Sequence, residues 1–192
     1  MLELSGTLQA IADAYHVTEG VTYPGSLIGG ALHDCAALIA ANRGVRAFAV
    51  AANGFDTHVK QHFEVLPSVV FHQELWLVVS QAIAAFYADL AGHGVSERVV
   101  VVVFSEFGRR AAENNDLGTD HGLASIALVI GDAVKGGVYG DYPDLREDAL
   151  VLEGNLDVHV DFRSVYATIL AQHLGADPER ILGGNFPQLA FL

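Results

Sequence analysis

Three runs of apolar, β-favouring residues constrain this chain more than any other feature. They are Val45 to Ala52 (VRAFAVAA), Arg98 to Phe104 (RVVVVVF) and Leu123 to Ile130 (LASIALVI). A strand with one wet face alternates apolar and polar residues. These runs do not alternate, so they read as strands buried on both faces. Helical patterns lie between them. Ser26 is placed to cap a helix over about 27–42, with Leu27, Ala31, Leu32, Cys35, Leu38 and Ile39 on one face and Asn42-Arg43-Gly44 as its stop. A longer helix runs from about Val69 to Ala91, where Leu75, Val78, Val79, Ala82, Ile83, Phe86, Tyr87 and Leu90 recur at three and four. Asp161 caps a last helix, about Phe162–Leu174, with Phe162, Val165, Tyr166, Ile169 and Leu170 inward. This alternation predicts an α/β fold with a parallel or mostly parallel sheet between helix layers.

The 192 residues show no repeat, low-complexity tract or linker, so they read as one domain, 1–192. Residues 1–22 are weakly patterned, with a short helix in LQAIADAY. Pro67 breaks a patternless stretch over 59–68, and the tail GGNFPQLAFL is expected to pack back through Phe186, Leu189 and Phe191. With 52% hydrophobic and 17% charged residues the chain can bury a sizeable core. Its net charge of −13 argues against nucleic acid or an anionic membrane as the main partner and suits a cation. A single cysteine, Cys35, excludes an internal disulfide and a Cys-rich zinc site. No apolar run reaches the roughly 18 residues of a membrane span, and the acidic first residues carry no secretory signal.

In parallel sheets ligands bind beyond the carboxyl ends of the strands, which selects the loops 53–62, 105–122 and 131–144. The first reads NGFDTH. Asp56 and His58 are two apart, so on an extended segment they point to one side and can meet one cation as an oxygen–nitrogen pair. The plain alternative is that Asp56 caps a turn and His58 is a surface residue. The second loop is too long for an ordinary connection. It places Glu106 two residues past the strongest strand, where a carboxylate needs a cation or an arginine. It also holds Asp120-His121-Gly122, with Gly118 and Gly122 suited to tight turns. The alternatives there are a Glu106–Arg109 salt bridge and an Asx-turn at Asp120. The Arg109 guanidinium fits a tetrahedral oxyanion, while Arg110 is at least as well explained by an ion pair with Glu106 or Glu113. His72 begins the long helix and is more simply a satisfied structural residue, and Lys135 an exposed turn residue.

GFDTH at 54–58, FSEFGRR at 104–110, GTDHG at 118–122, VKGGVYGDYPDL at 134–145 and VDFRSVYATIL at 160–170 resemble, in this order, the bacterial family called domain of unknown function 1501. The resemblance runs from about residue 23 to the end. It extends to the alkaline phosphatase-like superfamily of sulfatases, phosphatases and phosphomutases. That likeness implies a three-layer α/β/α sandwich with a metal centre at the strand ends. It implies one or two divalent cations, Zn or Mn ahead of Ca or Mg, held by Asp56, His58, Glu106, Asp120 and His121. It also implies a small anionic phosphate or sulfate ester as substrate. Superfamily enzymes carry a further aspartate and a nucleophile in an N-terminal half, so the likeness implies that the chain corresponds to a C-terminal half. It also implies that relatives are often exported.

Two function classes follow: a metal-dependent ester hydrolase in which Arg109 steadies the oxyanion, and a shortened relative that binds metal or assembles without turnover. A salt-bridged polar cluster with no metal is the third reading. A shortened sandwich leaves apolar surface to cover, so a homo-oligomer is expected in light scattering. A monodisperse monomer counts against it.

Overall fold

A computed structural model describes residues 2–66 and 69–192. The chain forms two compact units. One holds the residues up to Thr57 together with Gln61–Arg98; the other holds His58–Lys60 and Val99–Leu192.

The first unit is built on helices α1 (Leu2–Ala14), α2 (Leu27–Ala40) and α3 (Phe71–Gly92). A short antiparallel pair, β1 (Glu64–Leu66) and β2 (Val69–Val70), leads into α3. The break expected at Pro67 lies outside the described residues. Helix α2 starts where the Ser26 hydroxyl accepts from the Gly29 amide at 3.2 Å, satisfying one of the donors a helix start leaves open. Gly29, Leu32, Cys35, Ala36 and Ala37 form its buried face, which packs on α3. The α3 face is Val79, Ala82, Ala85, Phe86, Asp89 and Leu90, a helical spacing of three and four. Ala36 and Ala82 are fully buried, as small residues are where two helices approach closely. Phe86 and Leu90 supply the bulk, each worth about 1.5–3 kcal/mol when taken from water. Helix α3 is long and apolar enough to cross a membrane by length and composition. Within this unit it is the helix on which α2 packs.

A carboxylate lies inside this core. Asp89 is fully buried and accepts from the Tyr15 hydroxyl at 2.6 Å, the Thr18 amide at 2.8 Å and the Tyr23 hydroxyl at 2.9 Å. The Thr18 hydroxyl donates to the Asp89 carbonyl at 3.1 Å, and His93 Nε2 stands 3.5 Å from the carboxylate. These bonds fasten residues 15–23 onto α3. Gly92 permits the close approach, since a Cβ there would lie 2.2 Å from the Thr18 hydroxyl. Burial alone would push the Asp89 carboxyl up. The Thr18 amide and then the two tyrosine hydroxyls outweigh it and hold the group below the usual carboxylate range. Burial first, and the bond to Asp89 second, push both tyrosines up.

The second unit contains two antiparallel pairs, one inside the other in sequence. Strand β3 (Val101–Val103) pairs with β6 (Leu128–Ile130), Val102 opposite Val129. Between them β4 (Gly108–Glu113) and β5 (Thr119–Gly122) form a hairpin, with Gly108 opposite Gly122 and Arg109 opposite His121. The chain then runs through a Val151–Asn155 bridge to α4 (Phe162–Gln172) and α5 (Pro178–Leu182). Asp161 caps α4 by accepting from the Arg163 amide at 2.9 Å. Buried Thr168 on α4 receives the Leu189 amide at 2.8 Å, and Phe191 is buried, so the tail does pack back.

This architecture corrects the expected three-layer α/β/α sandwich. The described residues hold five α-helices and three two-stranded antiparallel pairs, with no mostly parallel sheet. The segment 45–52 is exposed and lies outside any strand among the described residues. A parallel neighbour for β3 requires a crossover connection. The chain between β3 and β6 instead turns back as a hairpin, so the two meet antiparallel. The supposed loop 105–122 is therefore largely that hairpin. Two faces also differ: Leu27 is 90% exposed and Phe162 63%, because both stand in the first turn of a helix, beyond the packed stripe.

Asp89→Ala would leave three donors without their acceptor and is expected to cost about 3 kcal/mol or more, read as a lower urea midpoint. The pH dependence has a sign on each side. Asp89, lowered in the fold, stabilises above the unfolded carboxylate pKa of about 4 and loses that contribution as pH falls through its folded value. Tyr15 and Tyr23, raised in the fold, contribute fully below about pH 10 and lose it as pH rises further. In Asp89→Asn the acid limb should flatten.

Candidate metal-binding site

The hairpin of the second unit carries the chemistry. Its strands approach closely because Gly108 and Gly122 face each other. A Cβ on Gly122 would lie 2.5 Å from the Arg109 carbonyl carbon, and one on Gly108 would lie 1.8 Å from the Ala124 oxygen. The tight turn expected of Gly118 is carried by Leu117, at φ 61°. A left-handed leucine costs about 1–2 kcal/mol. Asn114 offsets that cost, since its side-chain oxygen accepts from the amides of Asp116 and Gly118, both at 3.0 Å.

His121 on β5 stacks on Phe107, ring centroids 4.0 Å apart and planes within 13°. The Arg109 guanidinium lies 4.9 Å from the centroid of the same ring and donates to the Thr119 carbonyl. His58 comes from the short segment His58–Lys60, whose Lys60 amide donates to the Asp116 carbonyl at 2.8 Å. Its ring lies 4.7 Å from that of His121, and each presents a possible ligand nitrogen within 4.8 Å of the other's. His58 Nδ1 faces Asp120 Oδ1 at 3.4 Å. The Asn114 amide nitrogen donates both to that oxygen, at 3.1 Å, and to the His58 carbonyl, at 2.9 Å. Asn114 first and His58 second hold the Asp120 carboxyl below its ordinary range, so it is ionised at neutral pH.

Of the residues singled out by sequence, the structure gathers His58, Asp120 and His121, with Arg109 flanking Phe107 beside them. Asp56 belongs to the first unit, with Thr57 between it and His58. Glu106 is exposed and has no hydrogen bond or ion pair among the described residues. The Glu106–Arg109 bridge does not form, and Arg110 pairs with Glu153 at 3.7 Å rather than with Glu106 or Glu113. His72, in the first unit, accepts from the Trp76 indole at 3.1 Å. Lys135 Nζ donates to the Leu192 carbonyl at 2.8 Å.

The family model "Protein of unknown function (DUF1501)" matches residues 2–187. The chain belongs to the DUF1501 family. The match begins at residue 2, so it takes in the weakly patterned start as well as the motifs from residue 23 onward. No curated protein and no solved structure matches this DUF1501 chain.

Three residues of the candidate site were not singled out from sequence: Phe107, which lies inside the FSEFGRR motif, Asn114 and Asn155. Asn114 had one readable signal, an asparagine followed by Asp116 and Gly118, the composition of a side-chain-templated turn. Asn155 had none. It is 7% exposed, accepts from the Leu123 amide at 3.1 Å and donates to the Leu152 carbonyl. It thereby holds the chain where it leaves β5, two residues after His121. Asn155→Ala strips both bonds from a buried place. It is expected to destabilise the second unit by about 1–3 kcal/mol in denaturant titrations.

Proposed function

We propose that this DUF1501 chain is a metal-dependent hydrolase of phosphate or sulfate esters, related to the alkaline phosphatase-like enzymes that its motifs resemble. The observation that carries the reading is the pairing of the His58 and His121 imidazoles beside the ionised Asp120. Imidazole nitrogen with carboxylate oxygen is a donor set for Zn or Mn more than for Ca or Mg. Two nitrogens on one tetrahedral ion stand about 3.3 Å apart at ordinary bond lengths. A pair already within 4.8 Å has to close by no more than about 1.5 Å. The residues fit the group.

His58 and His121 would hold the ion through ring nitrogens. Asp120 would use Oδ2, which has no partner among the described residues, while Oδ1 orients His58. Asp56 and Glu106 would complete the ligand set, Glu106 on sequence grounds alone. A bound divalent cation polarises an ester and brings the pKa of a bound water toward neutrality. Arg109 stands opposite His121 across the hairpin and brings a positive charge to the same face, where it would steady the ester's oxyanion. Phe107 keeps the His121 ring from rotating.

A second reading, a metal-binding or assembly module without turnover, draws on the exposed apolar stretch from Val45 to Ala52, which includes Phe48 at 38% and Val50 at 37% exposure. Two measurements separate the readings. Elemental analysis after dialysis against Zn or Mn should find at least one ion per chain. Hydrolysis of an aryl phosphate or aryl sulfate should be abolished in Asp120→Ala and in His121→Ala. Stoichiometric metal without turnover supports the module. No metal at all leaves a polar cluster and overturns both.

A further inference from the structure

We infer that Asn114 is a positioning residue that decides which nitrogen of His58 carries the proton; its consequence for metal rests on the site reading above. The Asn114 oxygen is committed to the turn, accepting from the amides of Asp116 and Gly118. Its own backbone amide donates to the Gly118 carbonyl at 2.9 Å. With the oxygen so engaged, the side-chain NH2 can point only one way, and there it meets two groups from separate parts of the chain. It donates to the His58 carbonyl and to Asp120 Oδ1. An amide has two N–H bonds, and both are used.

The result is a directed relay. Asn114 presents a donor to Asp120 Oδ1, and the same oxygen is the acceptor opposite His58 Nδ1 at 3.4 Å. A carboxylate at that nitrogen favours the neutral tautomer with hydrogen on Nδ1, which leaves the lone pair on Nε2 as the donor to an electrophile. The bond to the His58 carbonyl fixes the backbone from which that ring is hung. The Lys60 amide makes the second tie, to the Asp116 carbonyl inside the same turn. The left-handed Leu117 stands in this turn, so its backbone strain is held by the very side chain that aims His58. The hairpin turn and the imidazole are one mechanical unit, and Asn114 joins them.

The test uses the full chain and two variants. Asn114→Asp keeps the oxygen that the turn needs and removes the donor, and Asn114→Ala removes both. Ring-nitrogen NMR of His58 reads the tautomer without any metal. Wild type should show hydrogen mainly on Nδ1, and a folded Asn114→Asp should move to a mixed or Nε2–H population. Calorimetric titration with Zn2+ alone should then show affinity weaker by about 10- to 100-fold in Asn114→Asp. If Asn114→Ala fails to fold, Asn114→Asp still decides. A wild-type His58 with hydrogen on Nε2, or a tautomer unmoved in Asn114→Asp, overturns the inference. Zn2+ affinity unchanged in a folded Asn114→Asp also overturns it. If wild type takes up no Zn2+, the hydrolase reading fails, and the NMR comparison alone decides the role of Asn114.

Discussion

Polar groups withdrawn from water have to find partners inside the fold, and in this protein a few side chains each serve several such groups. In the first unit Asp89 collects two tyrosine hydroxyls and the Thr18 amide on one carboxylate, and so converts a burial cost into a fastening of residues 15–23 on α3. In the second unit two asparagines do the equivalent. Asn155 closes the exit from β5, and Asn114 closes the turn before it. Removing such a hub strands every donor it served, so its loss costs more than any one of its bonds.

The candidate site follows from that arrangement. Its residues sit on a hairpin whose two strands come together through facing glycines, and His58 is tied to the same hairpin by an amide and a carbonyl. Nothing large is buried there; Asp120 and His58 are about half exposed. Order comes from hydrogen bonds and from the flat stack of His121 on Phe107, not from enclosure. Such a site is aimed before any ligand arrives, and it keeps an open side toward solvent.

Much of this was legible in the residues. The capping residues Ser26 and Asp161, the span of α3 and the docking of the tail through Phe191 all follow from local patterns, because caps and helical stripes depend on neighbours three or four residues away. That His58 and the DHG motif carry ligand-type side chains was legible, beside the plainer readings of a surface histidine and an Asx-turn; that they meet is decided by the fold. Asn114 and Phe107 were not legible in that way. Both act through partners far along the chain, and neither residue type is rare in a turn or a strand.

By itself, the sequence determined where α2 and α4 begin, through the caps Ser26 and Asp161, and membership of the DUF1501 family across residues 2–187. Only the tertiary structure decided what the apolar runs become. An all-apolar run says that a segment favours an extended, dry environment, but strand direction and partner are set by the connections. The 105–122 stretch folds back on itself, so Val101–Val103 meets Leu128–Ile130 antiparallel, and Val45–Ala52 stays exposed and outside any described strand. Register belongs to the same class. Arg109 stands opposite His121 because two glycines let the strands touch, and that is a property of the pair, not of either segment.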